Sequence, residues 1–272
     1  MIVAFQGEPG AYGEEALRRL FGDVQTLPCP SFAQVFEAVT TGRAEQGVLP
    51  VENSHAGSIT DNYDLLLGHD LFITGEVQLR VRHCLLAVKG QTLDEVRKVY
   101  SHAQALMQCE IFIQQKKLEA IAESNTAAAA KRVAAARVPG TAAIASRGAA
   151  RLYDLEILAE GIETNPNNFT RFVSVSVTPS PRAEKTRTSV VFMTANVPGS
   201  LHQALGAFAS RRLNMTKLES RPSRKVPWEY VFYLDFDGHA EEVQARAALS
   251  ELQGYTSFRR VLGSYPRKDE AV

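Results

Sequence analysis

The chain is short of most features that would declare a function outright. It has no charge excess: thirty Lys and Arg offset thirty Asp and Glu in 272 residues, so the basic field that non-specific nucleic-acid binding requires is missing and no polynucleotide partner is expected. Cysteine is scarce. Cys29, Cys84 and Cys109 are odd in number and far apart, with no Cys-x-x-Cys, which argues against a disulfide frame or a zinc knuckle and for reduced, packed thiols. The six histidines form no His-x-His or His-Glu-x-x-His spacing, so no metal site is expected. Long apolar runs are also missing: the Ala-rich stretch 126–138 is broken by Lys131, Arg132 and Arg137, and no membrane span is expected. Residues 1–5 are too short for a signal-peptide core and lack a basic flank. A cytoplasmic location is the resulting expectation. Finally, Gly7, Gly10 and Gly13 follow a Gly-x-x-Gly-x-x-Gly spacing rather than the dinucleotide fingerprint, which removes the usual signal for a Rossmann cofactor.

What is present suggests about two domains by length, and an apolar content of 45% supplies a core. Residues 2–5 read as a buried strand leading through the glycine turn into a helix at 14–20. A helix start behind such a turn can hold a carboxylate through free amides. Ser31 stands where it can cap a helix in which Phe32, Val35, Phe36 and Val39 recur at helical spacing, stopped by Gly42. The strand at 47–51 ends in Glu52-Asn-Ser-His-Ala-Gly-Ser58, a polar cluster at a strand's carboxyl end, where open α/β sheets bind ligands. Asp61, Tyr63, Leu66 and Leu67 belong to the next helix, and the strand-rich residues 71–88 cross from one lobe to another. Thr92 and Glu95 form a capping box expected to open a helix containing Val96 and Val99. Two further polar mouths follow, Ser101-His-Ala-Gln104 and Ser124-Asn-Thr126, the second capping a helix at 127–137 that Gly140 ends. Strands at 142–146 and 155–159 flank a helix at 147–153. The chain returns through Asn165-Pro-Asn-Asn-Phe-Thr-Arg-Phe172 into a strand where Val173, Val175 and Val177 alternate with Ser174 and Ser176. Taken singly, each mouth is ordinary cap or turn chemistry. Their arrival on two lobes joined by two crossings describes a cleft.

Residues 179–187 carry prolines and charges without an apolar period and read as a linker. Beyond them comes a β-α-β-β-α-β order, the ferredoxin-like arrangement of split βαβ units. Its strands are expected at 188–194, 215–222, 228–236, opening on Trp228, and 258–265; its helices are expected at 201–213, with Leu201, Leu205, Phe208 and Leu213 on one face, and at 240–252. Pro198-Gly-Ser-Leu201 at a helix start and Glu219-Ser-Arg-Pro222 at a strand end are its two marked loops.

In order, Phe5-Gln-Gly-x-x-Gly-Ala-Tyr12, Pro50-Val-Glu-Asn-Ser54, Ser101-His-x-Gln104, Asn125-Thr-Ala127 and Asn168-Phe-Thr-Arg-Phe172 resemble the motifs of prephenate dehydratase, and the C-terminal unit is similar to the ACT regulatory domain of that family. The resemblance covers residues 1–265. It implies an α/β fold with a two-lobed, periplasmic-binding-protein-like catalytic domain at 1–178 (lobe one 1–76 and 169–178, lobe two 77–168), a linker at 179–187, a ferredoxin-like ACT domain at 188–265 and a tail at 266–272. The implied reaction is the decarboxylating dehydration of prephenate to phenylpyruvate in phenylalanine biosynthesis. Aromatisation drives it, so no cofactor or metal is called for; the protein holds two carboxylates and helps the C4 hydroxyl to leave in a dry cleft.

Thr170 is the residue the resemblance makes catalytic, as donor to the leaving hydroxyl. Glu52, Asn53, Ser54, Ser101, Gln108, Thr126, Phe169 and Arg171 are implied in or beside the substrate site. Asn53, Ser101 and Thr126, with helix-start amides, would be the anion donors. Arg171 would either meet a carboxylate or brace its loop. Glu52 would be a structural acceptor or a protonated donor, because an unpaired carboxylate repels a dianion. Many family members have Asp where this chain has Asn125, so a charge at a helix start is missing. In the ACT unit the resemblance implies that L-phenylalanine binds between two such domains at Gly199, Ser200, Leu201, Glu219, Ser220, Arg221 and Pro222, which makes the chain a homo-oligomer, dimer or tetramer, and that it feeds back on the cleft.

Two other readings stay open on the residues. One is an arogenate or mixed-specificity dehydratase, acting on the amino analogue of prephenate. The other is a non-catalytic two-lobe small-molecule sensor, against which the full motif around Thr170 counts. No helical segment precedes Met1 or follows Val272, so an attached chorismate mutase is not expected.

Overall fold

Residues 1–223 and 229–267 are described by a computed structural model. The chain runs Ile2–Gln6 (β1), Tyr12–Phe21 (α1), Gln25–Cys29 (β2), Phe32–Thr40 (α2), Gln46–Asn53 (β3), Gly57–Ser58 (β4), Thr60–Gly68 (α3) and Phe72–Arg80 (β5). A second set follows: Cys84–Ala87 (β6), a 3-10 turn at Leu93–Glu95, Lys98–His102 (β7), Ala103–Gln108 (α4), Glu110–Gln115 (α5), Glu119–Glu123 (β8), Thr126–Ala136 (α6), Thr141–Ala145 (β9), Arg147–Leu152 (α7) and Glu156–Glu160 (β10). The chain then returns as Phe169–Ser176 (β11).

The first sheet has the order β2-β1-β3-β11-β5, with β4 on β3; the second has the order β10-β6-β9-β7-β8. β1 is parallel to β2 and β3, and β7 to β8 and β9. Parallel neighbours need crossovers, and the intervening helices supply them. Each sheet has its own apolar cluster, with Val3, Phe5, Leu17, Val48 and Phe172 in the first and Leu85, Val99, Cys109, Ile113 and Ile144 in the second. This is the two-lobed, periplasmic-binding-like α/β architecture expected from the sequence. Among the described residues no helix is long and apolar enough to cross a membrane.

Two helix starts of the second lobe reach the first. Ala127, second residue of α6, packs in the cluster of Val3, Phe5 and Phe172. The cap of α7, Ser146, donates its hydroxyl to the Gly10 carbonyl at 2.6 Å, and the Tyr153 hydroxyl donates to the Pro9 carbonyl at 2.8 Å. The glycine turn is therefore a docking surface for the second lobe. Its amides are spent within the chain: Gly7 donates to Cys29 O, Ala11 to Glu8 O, and Gly10 to the Glu14 carboxylate at 2.7 Å. The carboxylate held there is the protein's own.

Several local expectations are corrected. The Thr92/Glu95 capping box is formed, but it closes a single 3-10 turn, and Val99 lies in β7 instead of a helix. Val96 leaves the turn in extended conformation (ψ 132°). α6 ends at Ala136, and its C-cap Arg137, left-handed with φ 48°, comes before Gly140 is reached. β2 and β8 were not expected; both are edge strands whose half-exposed residues carry little apolar alternation.

The C-terminal strands and helices are Thr186–Thr194 (β12), Ser200–Ala209 (α8), Met215–Pro222 (β13), Tyr230–Asp237 (β14), Val243–Gln253 (α9) and Thr256–Pro266 (β15). They form an antiparallel sheet of order β13-β14-β12-β15, whose core joins Val190, Phe192, Phe208, Leu234, Phe236 and Leu252. α8 stops at Ala209, and Arg212, with φ 56°, turns the chain so that Leu213 packs on the core from outside the helix. α9 begins at Val243, three residues later than expected. Trp228 lies outside the described residues. By packing, the chain divides into two compact units, Met1–Tyr63 with Val77–Phe172, and Asp64–Glu76 with Val173–Val272.

Gly10 has φ 88°, and a Cβ there would sit 2.9 Å from Ala149 Cα. Left-handed backbone and backbone-to-backbone approach both select glycine. Gly10→Ala should cost about 1–3 kcal/mol of stability, read as a lower urea midpoint at unchanged slope. An unchanged midpoint would mean that the turn relaxes freely.

Candidate active site

β3 and β11 are sheet neighbours, and their pairing joins side chains more than a hundred residues apart. Asn53 Nδ2 lies 2.8 Å from Asn168 Oδ1 and 2.9 Å from Thr170 Oγ1. The Asn53 side-chain oxygen, Oδ1, accepts from the backbone N–H groups of His55 and Ala56, each at 3.0 Å. Those two donors decide which end of the amide is which, since a flip would face NH2 against N–H. The Asn53 hydrogens are thereby aimed at Asn168 and Thr170. Thr170 is the acceptor in this bond, and among the described residues its own hydroxyl proton has no acceptor. Asn53 and Thr170 are both buried.

Ser54 straps the two strands. Its N–H donates to Phe169 O at 2.8 Å, its hydroxyl donates to Asn167 O at 3.0 Å, and its Oγ accepts from Phe169 N–H at 3.0 Å. Arg171 is buried and stands 3.9 Å from the Glu52 carboxylate, at the outer limit of an ion pair. Phe169 is 37% exposed, which leaves its ring at the edge of the group. Glu52, Asn53, Ser54, Phe169, Thr170 and Arg171 are thus brought together.

Of the residues expected in the second lobe, Ser101 and Gln108 have hydrogen-bond partners within the chain. Ser101 is fully buried and gives its proton to Ile144 O at 2.6 Å, so only its lone pairs remain. Gln108 Oε1 lies 2.9 Å from His83 Nε2. Thr126 is the first residue of α6, capped by Asn125, whose Oδ1 accepts from Ala128 N–H at 2.8 Å. An amide oxygen caps as an aspartate would, so the exchange at 125 removes charge and keeps the cap. Because Ala127 packs in the first lobe's cluster, Thr126 arrives close to that lobe.

A buried titratable group escaped the sequence reading. The Tyr12 hydroxyl lies 3.0 Å from His83 Nδ1 and 2.8 Å from Arg82 O, and the Glu163 carboxylate accepts from the His83 backbone N–H at 2.9 Å. Tyr12 and His83 meet edge to face. Burial pushes the Tyr12 hydroxyl well up and the His83 imidazole down, against the smaller upward pull of Gln108 and Glu163. The Cys84 thiol is pushed up to about 11 by burial, and Cys109 is raised further. The one signal for His83 was a lone imidazole between two strands, without any spacing motif.

In the C-terminal unit, Gly199 caps α8 in left-handed conformation and Ser200 donates its hydroxyl to Ala195 O at 2.7 Å. A cavity of about 320 Å³ opens here, lined by Gly199, Ser200, Leu201, His202, Tyr230 and Phe232 among others. Ser220 pairs across strands with Phe232 and Pro222 with Tyr230. Arg221 is committed to Asp64 at 3.2 Å, and Glu219 lies 3.8 Å from Lys217.

A histidine whose folded pKa is depressed binds fewer protons folded than unfolded. It leaves stability untouched above the unfolded value of about 6.5 and subtracts from it as pH falls below that. His83→Gln should therefore lose less stability than wild type between about pH 7 and pH 5. Equal losses by urea unfolding would mean that His83 charges as readily folded as unfolded.

Residues 3–180 match the model of the prephenate dehydratase family and residues 188–254 that of the ACT domain. Arogenate dehydratase 1 of Petunia hybrida is 47% identical over 282 residues, covering 97% of this chain; the chain spans 66% of that relative's length. The structure of a prephenate dehydratase from Arthrobacter aurescens in complex with L-Phe superposes with a TM-score of 0.89 at 32% identity, covering 100% of this chain and 92% of that one. A structure described as GqqA, a novel type of quorum quenching acylase, superposes with a TM-score of 0.91 at 39% identity, covering 98% of each chain. On the family match across residues 3–180, the chain belongs to the prephenate dehydratase family, with an ACT domain at its C-terminal end.

Proposed function

We propose that this chain converts prephenate to phenylpyruvate, and that the group around Thr170 carries the reaction. The observation that supports this most directly is the Thr170 hydroxyl, held as acceptor by Asn53 with its proton left to give. In prephenate the bond between the ring and its carboxylate breaks, and that electron pair enters the ring as carbon dioxide leaves. The C4–O bond breaks with its pair on oxygen, and a proton turns the departing hydroxide into water. Prephenate dianion and one proton thus become phenylpyruvate anion, carbon dioxide and water. A hydroxyl is a weak acid, so Thr170 acts chiefly by a hydrogen bond that strengthens as charge develops on the oxygen, and the proton it gives is replaced from water. Arg171 and the start of α6 at Thr126 supply positive potential for the substrate's carboxylates. Ser54 acts as the strap that keeps Phe169 and Thr170 in register with β3.

A second reading, arogenate as substrate, is favoured by the 47% identity to the petunia arogenate dehydratase. Arogenate carries the same ring carboxylate and C4 hydroxyl, so the same residues serve both. Acyl transfer has less support. It needs an activated nucleophile, whereas the Ser54 and Ser101 hydroxyls donate to backbone carbonyls and burial raises the thiols of Cys84 and Cys109.

The C-terminal cavity suits L-phenylalanine. Its volume is at the small end of the range for small-molecule sites, about 300–1,000 Å³. Leu201, Tyr230 and Phe232 offer apolar surface for a ring. β13, which carries Glu219 to Pro222, is an edge strand, and an edge is where a second copy would pair. Phenylalanine bound at such an interface of a dimer or tetramer would act as a feedback effector.

Thr170→Ala should lower kcat for phenylpyruvate formation by about 10²–10³-fold while the protein stays folded by circular dichroism. Near wild-type turnover would remove Thr170 from the mechanism, and parallel assays on arogenate rank the two substrates. L-phenylalanine should raise the melting temperature of the wild type through linkage, and Glu219→Ala or Ser220→Ala should shrink that shift without abolishing turnover. A full shift in both variants would move the effector site elsewhere.

A further inference from the structure

Asn168 retains a polar group that the account above does not use. Its side chain is 1% exposed, and its Nδ2 is buried without a hydrogen-bond partner. The orientation is not arbitrary. Asn53 Nδ2, itself aimed by the N–H groups of His55 and Ala56, lies 2.8 Å from Asn168 Oδ1, and turning Asn168 over would set two NH2 groups face to face. Its backbone is held as well, since the Asn168 carbonyl accepts from Val81 N–H at 2.8 Å. A donor buried in this way carries its full desolvation cost with no return, and a functional role is one of the few explanations for such a group.

The unspent N–H of Asn168 and the unspent O–H of Thr170 belong to one place, because Asn168 Oδ1 and Thr170 Oγ1 lie 2.8 and 2.9 Å from the same nitrogen. Resting on the dehydratase reading, we propose that Asn168 Nδ2 is a second, catalytic donor to the oxygen that leaves C4. The two donors divide the work. An amide N–H cannot give up its proton, so Asn168 stabilises negative charge as the C4–O bond lengthens, and Thr170 supplies the proton that completes the water. This is the oxyanion-hole arrangement, with prearranged donors aimed where charge develops.

Asn168→Asp tests it. The aspartate keeps the shape and the oxygen that Asn53 needs, and replaces the N–H donor by an ionised acceptor. With wild type turning over prephenate or arogenate, kcat of the variant is expected to fall by about 10²–10³-fold at neutral pH and to recover part of the loss as acidification restores a carboxyl O–H donor. Wild type should show no such acid-side recovery. A kcat within about threefold of wild type at neutral pH, or a loss that acid leaves unchanged in a protein with native circular dichroism, would overturn the role of Asn168 and leave the dehydratase reading intact. An inactive wild type would instead overturn that reading and this inference with it. Should the Asp variant not fold, Asn168→Ala, which adds no charge, is read by the same kcat criterion.

Discussion

Two backbone N–H groups, those of His55 and Ala56, determine how the site is ordered. By occupying Asn53 Oδ1 they leave its side-chain NH2 no choice of direction, and that NH2 in turn orients Asn168 and makes Thr170 an acceptor. The arrangement joins the end of one strand to the start of another across 115 residues of sequence. It is buried, so breaking one link leaves a polar group without its partner, a cost of about 1–3 kcal/mol. The short, tight loop after β3 thereby controls the state of a hydroxyl on a different strand.

Such a chain of orientations works only on a frame that does not slide. The first and second lobes supply it by close backbone approach and not by long side chains. Gly10 lies against Ala149, Ser146 reaches the Gly10 carbonyl, and Ala127 fills the cluster around Phe5 and Phe172. Small residues at all three contacts let the helix starts of α6 and α7 come near. The buried His83 and the half-buried Tyr12 and Gln108 side chains join the first helix to the crossing and to α4 in the same unit. Burial favours the uncharged forms of Tyr12 and His83, so that junction pays the least desolvation when both are neutral.

Much of this was legible in residues. Strands with alternation, as in Val173 to Ser176, and caps such as Ser31 and Asn125 follow from local rules, and the polar cluster at 52–58 lies where such rules put ligands; Ser146, expected at a strand end, is instead the cap of α7. What was not legible depends on partners distant in sequence. No spacing states that Ser101 gives its proton to Ile144 O, that Glu14 takes the Gly10 amide, or that Asn168 is left with an unpaired donor. Local rules also overreach: the Thr92/Glu95 box is satisfied by a single turn, and nothing in it says how far a helix continues. Edge strands β2 and β8 lack an apolar face, and their place is set by backbone pairing that composition does not record.

The tetrapeptide Glu219-Ser-Arg-Pro222 combines two tasks by strand alternation. Glu219 and Arg221 fall on the half-buried face of β13, Ser220 and Pro222 on the exposed one. Arg221 pairs with Asp64, Arg260 bonds the Leu66 carbonyl, and Arg187 meets Glu76 in a buried pair at 2.7 Å. Those three partners lie between residues 64 and 76, on the segment that follows the polar cluster at 52–58 in the chain. A buried pair of that kind adds little net stability, since desolvation offsets its attraction, but it penalises any rearrangement that parts the charges. An effector that displaced the exposed face of β13 would have to carry its inner face along, and with it the Arg221 contact to Asp64. Whether it does so in one direction or the other depends only on which arrangement it binds more tightly, because a ligand shifts an equilibrium by its differential affinity and by nothing else.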